Sequence, residues 1–332
     1  MVNTRGTVVV ESFTSSALQG NPLGDPSVRE IPVYLPPSYE RERGRRYPVI
    51  YWLHGFTGIG LSSINRSLWT PSLPELMDRV IAEGAPEAIL VMPDGSTRYG
   101  GSQYLNSPAT GRYEDYVVKD LVPYIDRTYR TKASRDHRGT DGKSSGGYGA
   151  VVLAMRHPDV FGAVASHSGD MYFESCYKPF FWKALNAINK HGGLLGFLKA
   201  FDAMLKKDHD AMDALTILVA MAMAYSPNPD GSYELPVDVQ TGEMRDAIWA
   251  KWLEWDPVYM VERDVRALRE MKLVYLECGR KDEWNLHYGA RILSGRLKAL
   301  GITHEHQEFD DDHGNIQYRY VESLRRLASA LA

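Results

Sequence analysis

Short apolar runs alternate with helical patterns along most of the chain, and this alternation restricts the fold more than any other feature. The runs 48–53, 88–92 and 272–278 are dense in Val, Ile, Leu and aromatic residues, and each ends at a Gly-containing or polar loop. Continuous apolar runs are typical of parallel strands that are buried on both faces. Together with the intervening helical patterns they predict an α/β fold, in which helices flank a mainly parallel central sheet.

Further elements follow from the same reasoning. Leu73, Leu76, Met77 and Val80 are spaced as on one face of a helix, and Ser72 with Glu75 forms a capping box at its start. The other predicted strands cover residues 7–13, 28–35, 161–166 and 304–309, and the other predicted helices cover residues 113–128 and 315 to the end.

The segment 170–257 interrupts the alternation, because it is long and rich in aromatic and Met residues. Its most apolar stretch, 214–225, is too short to span a bilayer and predicts a buried helix. We expect one domain over residues 1–332, with segment 170–257 inserted as a mostly helical cap over the carboxyl edge of the sheet.

A Gly-x-Ser-x-Gly motif is centred on Ser144, between Gly142 and Gly146. In a nucleophile elbow this spacing places the serine Oγ on a tight strand-to-helix turn at the top of the sheet. Glycine at both flanking positions leaves room for the turn. The motif predicts Ser144 as a nucleophile, although the preceding residues 138–141 are polar where such strands are usually apolar.

A serine nucleophile requires a base and an acid that orients the base. The chain order Ser, Asp, His is the order found with this elbow. The apolar run 272–278 leads into a loop that contains Asp282, and the predicted strand 304–309 leads into a loop that contains His313. The sequence therefore predicts a Ser144–Asp282–His313 triad.

Each member of this triad has a competitor. Ser145 offers a second hydroxyl, although the glycine spacing selects Ser144. Glu283 competes with Asp282 for the role of the acid, and His304 and His306 compete with His313 for that of the base. A metal site built from His304, His306 and Asp310–Asp312 is a further alternative, but their spacing matches no known metal motif.

The tetrahedral intermediate of acyl transfer needs hydrogen-bond donors for its oxyanion. The segment Leu53-His54-Gly55-Phe56 follows an early predicted strand, where a hydrolase builds half of such a site. We predict the backbone N–H groups of Phe56 and Ser145 as the two donors. His54 is expected to be a packed structural residue without a catalytic role.

Taken together, these segments resemble the esterase D, feruloyl esterase and enterochelin-esterase-like branch of the α/β hydrolases, which includes the antigen 85 mycolyltransferases. The matching pieces run in order along nearly the whole chain, apart from segment 170–257. They are Val33-Tyr34-Leu35-Pro36-Pro37, Leu53-His54-Gly55, Met92-Pro93-Asp94-Gly95, Tyr113-Glu114-Asp115-Tyr116, the Ser144 motif and Cys278-Gly279-Arg280-Lys281-Asp282.

The resemblance implies an α/β-hydrolase fold and hydrolysis of a carboxylic ester through an acyl-serine intermediate, without a metal or an organic cofactor. It assigns the triad to Ser144, Asp282 and His313 and the oxyanion donors to Phe56 and Ser145. The expected partner is a small-molecule ester, with a short-chain acyl or an aryl, feruloyl-like acid part.

Three rival functions remain open at this stage. An acyltransferase would use the same triad with an acceptor other than water. A non-catalytic binding protein would have the same fold but no hydrolytic activity. A peptidase would use the same nucleophile, but the elbow and the compact cap favour an esterase.

Charge and cysteine content bear on partners and location. The net charge of −4 gives no electrostatic reason to expect nucleic acid or an anionic membrane. The first residues lack a signal-peptide pattern, and the two cysteines lie far apart, so we expect a reduced, cytoplasmic setting. A homodimer is compatible with the sequence, which indicates no particular interface.

Overall fold

A large twisted sheet forms the centre of the molecule. The computed structural model describes residues 5–263 and 265–332, and within them the strands pair in the order β1-β2-β4-β3-β7-β8-β9-β10, with β5 and β6 forming a separate small ladder. In chain order the strands are β1 (Thr7–Thr14), β2 (Val28–Leu35), β3 (Val49–Leu53), β4 (Ile89–Val91), β5 (Asn106–Ser107), β6 (Gly111–Arg112), β7 (Arg138–Gly142), β8 (Ala163–His167), β9 (Leu273–Gly279) and β10 (Glu305–Phe309).

The sheet is mainly parallel, as the sequence predicted. From β4 across β3, β7, β8 and β9 to β10 every neighbouring pair is parallel, and only β2 runs against its neighbours β1 and β4. The carboxyl ends of β3, β7, β9 and β10 therefore meet at one edge of the sheet. The loops that carry the predicted site residues leave the sheet at this edge.

Helices cover both faces of the sheet. In chain order the α-helices are α1 (Leu73–Ala82), α2 (Tyr113–Asp115), α3 (Val122–Thr128), α4 (Ser145–Arg156), α5 (Phe173–Cys176), α6 (Phe181–Lys190), α7 (Leu194–Ala203), α8 (His209–Ala214), α9 (Met221–Tyr225), α10 (Asp246–Leu253), α11 (Pro257–Arg263), α12 (Val265–Arg269), α13 (Leu286–Ala299) and α14 (Tyr320–Leu331). Short 3₁₀ turns occupy Gly60–Ile64, Arg135–His137, Lys178–Phe180 and Ile316–Arg319.

The side chains of β3 alternate between two apolar cores. Ile50 and Trp52 face the core that contains α1 and α14, whereas Val49, Tyr51 and Leu53 face the larger core on the other side. This larger core includes helices α4 and α13 and continues into the helices between β8 and β9. Because both faces are covered, the central strands are buried throughout, which explains their continuous apolar sequences.

Two predicted helices contain π-helical turns that the sequence did not reveal. The predicted helix 113–128 consists of α2, a π-helical turn at Tyr116–Leu121 and α3. The predicted buried helix 214–225 is confirmed as helical and buried, but it likewise contains a π-helical turn at Leu215–Ala220, between α8 and α9. Such turns insert one extra residue per turn and often occur near functional sites.

The polar sequence before Ser144 does form a strand. All five residues of β7 are buried at the centre of the sheet. Arg138 pairs with Asp126 at 2.5 Å, and Asp141 accepts hydrogen bonds from Ser323 Oγ at 2.6 Å and from the backbone N–H of Gly142 at 2.8 Å. Asp126 and Ser323, which lie outside this strand, therefore pair with the charged side chains that made it look unusual.

The segment between β8 and β9 contains α5 to α12, which include the helices of segment 170–257. Residues 226–245 of this segment form turns and isolated bridges, with no α-helix between α9 and α10. Within residues 5–263 and 265–332, no helix is both long and apolar enough to cross a lipid bilayer.

Candidate active site

Ser144 lies on a sharp turn between β7 and α4. Its backbone has φ of 60° and ψ of −126°, a conformation that residues other than glycine rarely adopt. The turn is held by hydrogen bonds from Ser144 N to His167 O at 2.9 Å and from Gly146 N to Lys143 O at 2.9 Å. Strained backbone of this kind persists where the surroundings fix it, and it is concentrated at functional sites.

The two glycines of the motif are required by close backbone approaches. A Cβ atom on Gly146 would lie 1.9 Å from the carbonyl oxygen of Leu53, and one on Gly142 would lie 2.5 Å from the backbone of Gly146. Any side chain at either position would therefore force β3, β7 and α4 apart.

His313 brings the predicted serine and acid together. Its Nε2 lies 3.0 Å from Ser144 Oγ, and its Nδ1 lies 2.8 Å from Asp282 Oδ2. Both contacts are satisfied when Nδ1–H donates to the carboxylate and Nε2 accepts from the serine hydroxyl. The imidazole is thereby held in the tautomer that can remove a proton from Ser144.

Asp282 is buried and hydrogen-bonded on both oxygens. Its Oδ1 accepts from the backbone N–H of Trp284 at 2.9 Å, while Oδ2 faces His313. Burial opposes ionisation, but the hydrogen bond and charge of His313 and the backbone donors outweigh it and lower the pKa of Asp282. The carboxylate therefore stays charged at neutral pH.

The competitors for the acid and the base occupy other positions. Glu283 accepts a hydrogen bond from the backbone N–H of His313 at 3.0 Å and so contacts the main chain of the histidine loop. His304 contacts Ser294 and the Ile302 carbonyl. No group of three or more His, Cys, Asp or Glu side chains among the described residues could hold a metal ion.

The two predicted oxyanion donors flank the same cavity as Ser144. Phe56 follows β3, and Ser145 is the first residue of α4. Neither backbone N–H group forms a hydrogen bond within the part of the chain that the structure describes. The first N–H groups of a helix have no partner within the helix, so Ser145 N–H remains available to a bound group.

A cavity of about 280 Å³ opens beside Ser144. The helical stretch 209–225 lines one part of it, and the segments that follow β3, β7, β8, β9 and β10 line the rest. The lining residues are Gly55, Phe56, Thr57, Lys143, Ser144, Ser145, Asp170, Cys176, Tyr177, Met212, Asp213, Thr216, Ile217, Met221, Trp284, Leu286 and His313.

Several ionisable groups line this cavity besides the predicted triad, among them Asp170, Asp213 and Lys143. Burial raises the pKa of Asp170 although Tyr177 and Gln103 donate hydrogen bonds to it. Burial lowers the pKa of Lys143, against the opposing charges of Asp282, Glu283 and Asp170. The cavity therefore combines apolar side chains with the carboxyl groups of Asp170 and Asp213 and the amine of Lys143.

Sequence reasoning missed two polar residues at this site, Gln103 and Asp170. Gln103 lies in a loop after β4, and its side chain contacts both Ser145 and Asp170. Neither residue belongs to a local motif, and their contacts join positions 42 and 67 residues apart. The positive φ that both Gln103 and Tyr104 adopt gave no signal in the sequence.

His54 has the structural role that the sequence predicted. Its side chain is buried, its Nε2 accepts a hydrogen bond from the backbone N–H of Gly95 at 2.9 Å, and its Nδ1 contacts the Gly55 carbonyl at 2.8 Å. The imidazole thus joins the loop after β3 to the loop after β4.

The architecture matches solved structures of hydrolases over nearly the full length. A ferulic acid esterase superimposes with a TM-score of 0.65 at 20% identity, covering 99% of each chain. An S-formylglutathione hydrolase from Agrobacterium tumefaciens superimposes with a TM-score of 0.62 at 17% identity, covering 100% of this chain and 97% of the other. The fold is that of the α/β hydrolases, as predicted.

A profile of the family described as "Putative esterase" matches residues 26–321, and the chain belongs to this family. The predicted relationship to esterases is thereby confirmed. Among curated relatives, Esterase Rv1288 from Mycobacterium tuberculosis is 32% identical over 162 residues, which cover 47% of this chain and 31% of that protein.

A second curated relative is an endo-1,4-beta-xylanase/feruloyl esterase from Xylanibacter ruminicola. It is 30% identical over 146 residues, which cover 42% of this chain and 19% of that protein. The matched region thus spans less than a third of the length of either curated relative.

Proposed function

We propose that this protein is a serine carboxylic-ester hydrolase that acts through an acyl-serine intermediate. One observation carries the proposal, namely the continuous contact from Ser144 Oγ to His313 Nε2 at 3.0 Å and from His313 Nδ1 to Asp282 Oδ2 at 2.8 Å. A nucleophile, a base and an orienting acid in this geometry are what acyl transfer requires. Membership of an esterase family supports the same reaction.

The reaction proceeds in two halves. His313 Nε2 takes the proton of Ser144 as Oγ attacks the ester carbonyl carbon. Protonated His313 then gives that proton to the departing alcohol oxygen as the carbon–oxygen bond breaks, which leaves an acyl-serine. Water, deprotonated by His313, attacks the acyl-serine, and His313 returns this proton to Ser144 Oγ as the carbon–oxygen bond breaks, which releases the acid and the free serine. Asp282 stabilises the imidazolium in both halves.

The oxyanion is stabilised by the backbone N–H groups of Phe56 and Ser145. Both residues line the cavity, and both N–H groups lack partners in the described structure. Each donor contributes most when the carbonyl oxygen becomes negative, because the donors are already oriented and the site is partly closed to water.

We further propose that segment 170–257 is the cap of this site and shapes the acyl pocket. Met212, Ile217 and Met221 come from it and give the cavity an apolar lining, to which Trp284 from the loop after β9 also contributes. A cavity of about 280 Å³ is suited to short-chain acyl groups or to a single aromatic ring. Short-chain acyl and aryl, feruloyl-like esters are therefore the proposed substrate class.

A serine-directed fluorophosphonate probe tests the proposal. Wild-type protein should be labelled at Ser144. Hydrolysis of acetate esters, butyrate esters and methyl cinnamate should stop when labelling is complete. An alcohol acceptor added during turnover reports acyl transfer as transesterification. A protein that remains unlabelled and hydrolyses none of these esters would contradict the proposal.

A further inference from the structure

Gln103 is a fully buried amide in the loop that follows β4. Its backbone has φ of 52°, and that of the next residue, Tyr104, has φ of 56°. Two consecutive non-glycine residues in the left-handed region are costly, and such strain persists only where the surrounding contacts maintain it. The contacts of the Gln103 side chain show what maintains this backbone conformation.

Both ends of this amide are hydrogen-bonded. Gln103 Oε1 accepts a short hydrogen bond from Ser145 Oγ. Gln103 Nε2 lies 3.0 Å from Asp170 Oδ2, 3.0 Å from Tyr177 Oη and 2.8 Å from Tyr225 Oη, and its two N–H groups are shared among these three acceptors. The side chain thus joins the first residue of α4 to Asp170 after β8, to the turn that follows α5 and to the end of α9.

The same loop also supports the other proposed oxyanion donor. Thr57 N donates to Gly100 O at 3.1 Å, and a Cβ atom on Gly100 would lie 2.3 Å from the Phe56 ring. Tyr104 Oη donates to the carbonyl of His54 at 2.8 Å. One loop therefore contacts the segments that carry both donors.

We infer that Gln103 is a positioning residue of the oxyanion site, which fixes Ser145 at the start of α4 and couples it to the cap through Tyr177 and Tyr225. The inference rests on the proposed function. Gln103 lies outside the triad and does not line the cavity. Its loss should therefore weaken stabilisation of the transition state more than it weakens substrate binding.

A double-mutant cycle tests this role. Gln103→Met and Ser145→Ala each remove one side of the hydrogen bond, while Ser145→Ala keeps the backbone N–H. Each variant should lower kcat about 10- to 100-fold, the range expected when a catalytic group is displaced, and should leave KM within about threefold. The double variant should be no slower than the slower single variant, since both changes break the same contact.

A second variant separates positioning from folding. In Gln103→Glu an ionised carboxylate cannot donate to Asp170, whereas a protonated one can. The ratio of its kcat to that of the wild type should therefore rise as the pH is lowered. Thr140→Val is the matched control, because it removes another buried hydrogen bond to α4, the 3.0 Å contact with Ala150 O, away from the cavity. It should lower stability and leave kcat unchanged.

Fully additive effects in the cycle, or a change confined to KM, would overturn the inference. Ser144→Ala is measured in the same series. If Ser144→Ala retains the wild-type rate, the proposed function fails. If Ser144→Ala is inactive while Gln103→Met keeps the wild-type kcat, only the role of Gln103 fails.

Discussion

The three residues of the proposed triad lie on loops whose positions could be predicted from the order of strands and loops in the sequence. Ser144, Asp282 and His313 each follow a strand, and parallel strands bring their carboxyl ends to one edge, so the pattern predicted that they would lie close together. Gln103 and Asp170 could not be predicted in this way. Their importance comes from long-range contacts of single polar side chains, which no local spacing records.

Asp282 and Glu283 offer a direct comparison of adjacent acids. Asp282→Asn should lower kcat about 10⁴-fold, because the amide cannot hold His313 in the tautomer that accepts the serine proton. Glu283→Gln should lower kcat less than tenfold, since Glu283 contacts the backbone N–H of His313 rather than its imidazole. Steady-state kinetics of both variants on a p-nitrophenyl ester measure the difference, and equal losses would contradict the assignment.

Some secondary-structure elements could be predicted from the sequence more fully than others. Helix α1 was predicted because its signals are local, and the capping box of Ser72 and Glu75 is formed as expected. The π-helical turns were not predicted, since they depend on packing rather than on composition. The turn Leu215–Ala220 has a consequence for the site, because it presents Thr216 and Ile217 to the cavity.

The wall formed by this turn should set the preferred length of the acyl chain. Ile217→Ala should shift the ratio of kcat/KM for octanoate over butyrate esters by roughly tenfold toward octanoate, because it enlarges the apolar pocket. Leu218→Ala is the matched control, since Leu218 is buried on the same turn but does not line the cavity. An equal shift in both variants would contradict the proposed wall.

At the scale of the whole molecule, a buried polar network joins the strands that carry the site. His167 at the end of β8 contacts Glu277 of β9 at 2.7 Å, Asp141 of β7 at 3.5 Å and Ser323 of α14 at 2.7 Å. Arg319 pairs with Glu277 at 2.7 Å. The order of elements was predictable from the sequence, but this network was not, because its members come from β7, β8, β9 and the stretch 316–331.

The network makes stability depend on pH. Burial disfavours the imidazolium, but the charges of Glu277 and Asp141 outweigh it and raise the pKa of His167 above 6.5. The folded protein thus binds this proton more tightly than the unfolded chain. The resulting stabilisation is fully present below pH 6.5 and is lost as the pH rises through the pKa of the folded state.

His167→Gln should therefore lower the free energy of unfolding by roughly 1–3 kcal/mol at pH 6, because Glu277 and Asp141 lose the imidazolium while Glu277 keeps Arg319, and by less at pH 9. Urea unfolding at both pH values measures the effect. His209→Gln at an exposed position is the control and should change stability little at either pH. A larger loss at pH 9 than at pH 6 would contradict the direction of the pKa shift.

The initial rate of Ser144→Ala on p-nitrophenyl butyrate tests the central claim most directly. Wild type should turn over, and the variant should be slower by about 10⁴- to 10⁶-fold, since the nucleophile is lost while binding and the oxyanion donors remain. Ser329→Ala, at an exposed site on α14, controls for the loss of a serine hydroxyl and should keep the wild-type rate. A folded Ser144→Ala protein with the wild-type rate would show that Ser144 is not the nucleophile.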